Sequence, residues 1–197
     1  MVKIRLLPAA GALALLTACG PTTGHDSATG HETAAAPSAA APAITASAFN
    51  EADVTFARMM IPHHRQAVEM AGLAGTRAVD PEIKELAAQI KAAQDPEIKI
   101  MTDWLRAWDR PVPSGGMGHS MPGIMSEEQM KELEEAKGAA FDRRFAELMI
   151  AHHEGAIEMA RTEKATGADP VVKELAETIE TAQRAEVGRL RRFLDRL

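Results

Sequence analysis

The chain is 197 residues long, with 28 acidic and 22 basic side chains, a formal net charge of −6 and a single cysteine. A mildly acidic balance argues against nucleic acid as a partner. One thiol excludes intramolecular disulfides and Cys-based metal cages.

The N-terminus reads MVKIRLLPAAGALALLTACG. Lys3 and Arg5 precede an apolar stretch, Leu6 to Leu16, that is too short for a permanent transmembrane helix and fits the core of a signal peptide over residues 1–18. Leu16-Thr17-Ala18-Cys19 resembles a bacterial lipobox, which would make Cys19 the acylated first residue of the mature protein; the alternative is an ordinary secretory signal with a stray Cys. The expected location is therefore the extracytoplasmic face of a bacterial cell membrane, with the lipid rather than a basic helix as the membrane contact. Residues 19–48 are dominated by Ala, Pro, Thr, Ser and Gly and predict a flexible tether, on the order of 30 Å long as a random coil. Its His25 and His31 are isolated and read as solvated.

Residues 49–197 are enough for one domain with one core. They contain an internal duplication. Phe56-Ala-Arg-Met-Met-Ile-Pro-His-His-Arg-Gln-Ala-Val-Glu-Met-Ala returns 89 residues later as Phe145-Ala-Glu-Leu-Met-Ile-Ala-His-His-Glu-Gly-Ala-Ile-Glu-Met-Ala. The register holds without a gap, and 21 of 50 aligned positions are identical between 56–105 and 145–194. Both copies show a 3.6-residue apolar period and no strand alternation.

In chain order, a first helix is expected from about Ala48 to Gly75. A second starts at Asp80-Pro81, a good N-cap followed by a proline at the first helical position, and stops before Arg110-Pro111. Pro62 and Pro96 lie inside these helices and each removes one backbone hydrogen bond, so a kink is expected at both. Residues 111–125 form a long Met/His-rich loop with Met117, His119, Met121 and Met125. Ser126-Glu-Glu-Gln129 reads as a capping box opening a helix that runs to about Thr166, with Gly167 as C-cap. Asp169-Pro170 starts the last helix, which runs nearly to Leu197. Two helical hairpins, 49–110 and 126–197, make an all-α four-helix bundle.

At 100° per residue, Phe56, Met60, His63, Ala67, Met70 and Ala74 share one stripe, as do Phe145, Met149, His152, Ala156 and Met159. His63 and His152 are thus expected in the core. His64 and His153 fall at the stripe's edge, toward a seam or solvent. Met60 precedes His63 by three residues and His64 by four, separations at which side chains meet on a helix. Thioether and imidazole without carboxylate or thiolate suit Cu(I) and Ag(I). The candidate ligands are Met60, His63, His64, Met149, His152 and His153. A second group comprises Met59, Met70, Met159, Met117, His119, Met121 and Met125. Methionine is also ordinary gap filler in a bundle core, and the loop reads equally as ligand source or linker. Glu69 and Glu158 face outward. No Glu stands three residues before any His, which excludes the di-iron pattern, and zincin, phosphate-loop, dinucleotide and serine-nucleophile motifs are absent. No catalytic residue is assigned, and the chain is not expected to be an enzyme.

Met-Ile-Pro-His-His with Glu-Met-Ala, then His-His-Glu-Gly-Ala-Ile-Glu-Met-Ala, with Met-Pro-Gly-Ile-Met-Ser between them, resembles the domain-of-unknown-function 305 family over residues 49–197. The resemblance implies a ferritin-like, CopM-like four-helix fold and copper or silver binding by Met and His in the cell envelope, in service of metal tolerance. Carried over by position, it points to Met60, His63, His64, Met149, His152 and His153. Met59 has Leu148 as its counterpart, so the two copies need not be equal. The competing reading is a non-metal helical module that docks an envelope protein or a second copy of itself.

Overall fold

The computed structural model describes residues 48–114 and 121–197. The signal peptide, Cys19, His25, His31 and nearly all of the tether lie outside the described residues, as do Met117 and His119. Five helices follow in order: α1 (Glu51–Arg77), α2 (Pro81–Ala107), α3 (Glu127–Glu135), α4 (Ala139–Thr166) and α5 (Pro170–Leu194). The fold is all-α. α1 packs against α2, α4 packs against α5, and the two hairpins meet through α1 and α4, with the short α3 laid against both of these.

The helix starts follow from local chemistry. Asn50 caps α1 in a box with Asp53, two residues later than the expected start at Ala48. Asp80 and Asp169 cap α2 and α5, each followed by Pro, and Ser126 with Gln129 closes the capping box of α3. α1 and α2 run as continuous helices through Pro62 and Pro96. One expectation is corrected. The helix predicted from Ser126 to Thr166 is two helices, broken at Ala136–Gly138. Gly138 has φ +64°, ψ −145°, a conformation that residues with a Cβ adopt only under strain. Its N–H donates to the Arg77 carbonyl at 2.8 Å, which ties the break to the end of α1.

Two apolar clusters fill the bundle. One gathers Val54 to Ile61 of α1 with Ala156 to Ala160 of α4; the other gathers Ala67 to Ala78 with Phe141 to Met149. The histidine pairs at 63–64 and 152–153 fall in the gap between the two stretches on each helix. The waist of the bundle is therefore polar.

Two buried aspartates at repeat-related positions link the hairpins crosswise. Asp53, in the first turn of α1, accepts from Asn50 N–H at 2.6 Å and from Ala168 and Asp169 N–H at 3.2 and 3.1 Å in the α4–α5 turn. Asp142, in the first turn of α4, accepts from Val79 N–H at 3.2 Å and Asp80 N–H at 3.0 Å in the α1–α2 turn. Burial alone would raise the Asp53 pKa, but these backbone donors, together with the neighbouring Glu163 carboxyl, outweigh it and hold the carboxyl below its ordinary value. Glu163 has no counterpart in copy one, where the position is Ala74. Its carboxyl is buried beside Asp53, with both oxygens unpartnered, and burial followed by the Asp53 contact pushes its pKa up to about 8; Lys173 opposes this and Asp169 adds to it. The unfolded chain releases that proton near the ordinary 4.5, so the fold loses stability as pH rises from about 4.5 to about 8 and the penalty then levels off. Glu163→Gln is expected to flatten this slope, read as melting temperature against pH. An unchanged slope would place the Glu163 proton elsewhere.

Candidate metal centre

α1 and α4 cross with their inner histidines face to face. The ring centroids of His63 and His152 lie 3.7 Å apart with planes inclined at 43°. Both side chains are fully buried, as are His64 and His153. The inner pair therefore joins the two copies at one place. Of the two settings expected for the outer pair, the structure shows the seam: His64 and His153 are buried and solvent does not reach them. The edge of the core stripe is still covered when a second helix packs there, and α2 and α5 do so through Glu97 and Glu186.

The seam also supplies partners that the sequence reading missed. His64 Nε2 lies 2.8 Å from Glu97 of α2, and His153 Nε2 lies 2.7 Å from Glu186 of α5. Glu97 and Glu186 are themselves related by the 89-residue offset, so the signal was present in the duplication. The expectation of imidazole and thioether without carboxylate holds for the stripe but not for its surroundings. Gln94 and Gln183, one turn before these glutamates and also repeat-related, are buried with side-chain polar atoms unpartnered.

The hydrogen bonds select the imidazole tautomers. A carbonyl oxygen only accepts, so the 3.2 Å contact between His63 Nε2 and the Pro122 carbonyl puts the proton on Nε2 and leaves Nδ1 as a bare lone pair. Glu97 and Glu186 engage the same ring nitrogen, Nε2, of His64 and His153. The Nδ1 atoms of all four histidines, and Nε2 of His152, are buried without a partner. Burial pushes the His63 pKa down to about 3, with the His64 and His153 rings adding to the effect. It pushes His152 well below its ordinary value, aided by His63. Neutral imidazoles with free lone pairs are the form that binds metal.

Met60 and Met149 are fully buried one turn before the inner histidines. Met70 and Met159 are buried as well, Met70 in the cluster with Met149 and Met159 in the cluster with Met60. Met59 is partly buried at the edge of that second cluster. Of the loop residues, Met121 and Met125 are buried, and Met125 packs in the apolar core with Met130 and Leu133. The segment between them crosses the waist. Gln66 pins one end through two hydrogen bonds with Met125, at 2.9 and 2.7 Å. Gly155 receives the other end, since a Cβ there would stand 2.1 Å from the Pro122 carbonyl oxygen.

Among the described residues, no three His, Cys, Asp or Glu side chains already converge as a metal cage. The donor chemistry nonetheless fits a soft ion. Five unpartnered imidazole nitrogens lie at the waist, and thioethers stand one helical turn from the inner pair.

The family model described as domain of unknown function (DUF305) matches residues 53–194. A DUF305 protein from Streptomyces coelicolor is 33% identical, with 74% of this chain and 93% of that chain covered and a TM-score of 0.68. CopM in a Cu(II)-bound form is 37% identical, with coverage of 73% and 96% and a TM-score of 0.66. CopM is also known in Cu(I)-bound and Ag-bound forms, each 34% identical over 73% of this chain and 96% of that one, with TM-scores of 0.63 and 0.62. No curated protein matches the chain.

Proposed function

The chain belongs to the DUF305 family, and from that premise we propose that it is a lipid-anchored, extracytoplasmic copper-binding protein that buffers Cu(I), and Ag(I) in its place, without catalytic turnover. The observation that carries this reading is the set of five buried, unpartnered imidazole nitrogens where the two copies meet. Buried polar atoms left unpaired are costly, and a fold that keeps several together has a use for them. The copper- and silver-bound forms of the similar CopM support the choice of ion. His63 and His152, with Met60 and Met149, would form the inner donor set. His64 and His153, oriented by Glu97 and Glu186, would receive the ion from the seam. Thioethers bind without losing a proton and persist where thiols oxidise, which suits an envelope protein anchored through Cys19.

Anaerobic titration of Cu(I) into the purified protein against a competing chelator tests the proposal. The wild type is expected to withdraw Cu(I) from the chelator. Changing His63, His64, His152 and His153 together to alanine is expected to abolish that uptake. Unchanged stoichiometry in the quadruple variant would sink the assignment.

A further inference from the structure

The pseudo-two-fold axis that relates the two copies is marked at two places. Between α1 and α4 it passes through the ring contact of His63 with His152, which are each other's counterparts. Between α2 and α5 one hydrogen bond marks it: Arg189 Nη1 of α5 donates to Gln89 Oε1 of α2 at 2.6 Å. Their counterparts under the 89-residue offset are Ile100 and Thr178, so the axis crosses α2 and α5 midway, at positions 94–95 and 183–184. The buried residues there are Gln94 and Gln183, 2% and 3% exposed. The register of each hairpin agrees. Counting along antiparallel α1 and α2 from the His64–Glu97 contact brings Gln94 level with Ala67, one turn from His63. The same count from His153–Glu186 brings Gln183 level with Ala156.

Packing does not ask for an amide at either position. Ile90 and Met101 flank Gln94 on the buried face of α2, and Ile179 and Leu190 flank Gln183 on that of α5. Gln94 Nε2 and Oε1 and Gln183 Oε1 are buried without a hydrogen-bond partner. The fully buried Ala67 and Ala156 have no polar side-chain atom to offer them. An unpaired buried amide is destabilising. Both copies keep one all the same, at the level where imidazole nitrogens are also left without partners.

We propose that Gln94 and Gln183 are oxygen donors of the waist, and that they extend its range of ions from Cu(I) and Ag(I) to Cu(II). This rests on the copper reading of the waist, and the test below separates the two. Thioether with imidazole serves a soft ion, whereas Cu(II) favours nitrogen together with oxygen. An amide oxygen is a neutral acceptor and binds without giving up a proton. The inner imidazole pair thus has a sulfur pair, Met60 and Met149, on its own helices and an oxygen pair on the flanking helices.

Cu(II) is titrated into the metal-free full chain against a competing chelator without reductant, and Ag(I) in a parallel series. The quadruple histidine variant gives the background from His25, His31 and His119, which every variant retains. The wild type is expected to bind both ions above that background. Gln94→Met with Gln183→Met keeps side-chain length and exchanges amide oxygen for thioether. This double variant is expected to lose Cu(II) affinity by on the order of tenfold or more, while holding Ag(I) at least as tightly as the wild type. Unchanged Cu(II) affinity overturns the assignment. So does an equal loss of both ions, which would make the glutamines packing residues. A wild type that takes Ag(I) but no Cu(II) above background overturns it and leaves the Cu(I) reading standing; one that takes neither ion overturns both. Should the double variant fail to fold, Gln94→Met alone is measured. A smaller Cu(II) loss with Ag(I) binding unchanged is then expected, and unchanged Cu(II) affinity overturns the assignment.

Discussion

Replacing His63 and His152 together with leucine is expected to raise the stability of the metal-free protein while removing its Cu(I) and Ag(I) binding. Both rings are fully buried, and three of their four nitrogens have no partner. Each unpaired polar group costs about 1–3 kcal/mol, and leucine fills similar space without that penalty. Part of the gain is offset, since the Pro122 carbonyl loses the His63 proton. A net gain on the order of 1–3 kcal/mol corresponds to a melting temperature higher by several degrees for a domain of this size. The acid limb should change as well. Below about pH 6.5 the unfolded chain takes up a proton at position 63, but the folded chain does not until about pH 3. The wild type therefore loses stability from this group as pH falls through that window, and the double variant is expected to be flatter there. Thermal melts against pH, with and without Ag(I), check both outcomes. A variant that is several kcal/mol less stable and still shifts its melting temperature with Ag(I) would make these histidines packing residues.

Gly155→Ala is expected to dislodge the segment that crosses the waist. A Cβ at position 155 would stand 2.1 Å from the Pro122 carbonyl oxygen, 2.4 Å from its carbon and 2.7 Å from the Gly123 nitrogen. These are backbone atoms, so no side-chain rotation relieves the clash. Gly123 cannot retreat toward α4, because it already faces the carbonyls of Ala151 and His152. The segment must lift, taking Pro122 from His63 and loosening the burial of Met121 and Met125. The expected loss is about 2–4 kcal/mol in denaturant unfolding, within the range of overpacked sites. Faster exchange of the His63 Nε2 proton in NMR spectra should accompany it. A Gly155→Ala protein with wild-type stability and slow exchange would show that the segment is not held against α4.

Much of the architecture was legible in the chain. The buried stripe was read correctly on both copies, because 3.6-residue periodicity and an exact repeat register reinforce each other. The N-caps at Asp80, Asp169 and Ser126 were read correctly because capping depends on neighbours in sequence. The break before α4 was not. The run from Ser126 to Thr166 is helix-compatible except at Gly138 and Gly155, and an isolated glycine is often tolerated inside a helix, as Gly155 is in α4. What separates α3 from α4 is the room for α3 in the groove between α1 and α4.

The sequence by itself determined the class of the fold, the pairing of helices into two like hairpins and the placing of four histidines at repeat-related positions on two helices. These follow from local periodicity and from identity between copies. Only the tertiary structure decided that His63 meets His152, that Glu97 and Glu186 close the seam over His64 and His153, and that α3 lies against both α1 and α4. Each of these depends on which helix lies against which, and contacts between residues far apart in the chain leave no spacing to read. MMIPHHRQAVEMA carries its imidazoles and thioethers in its letters, but the unpartnered nitrogens of its histidines appear only when α2, α4 and Pro122 are packed around them.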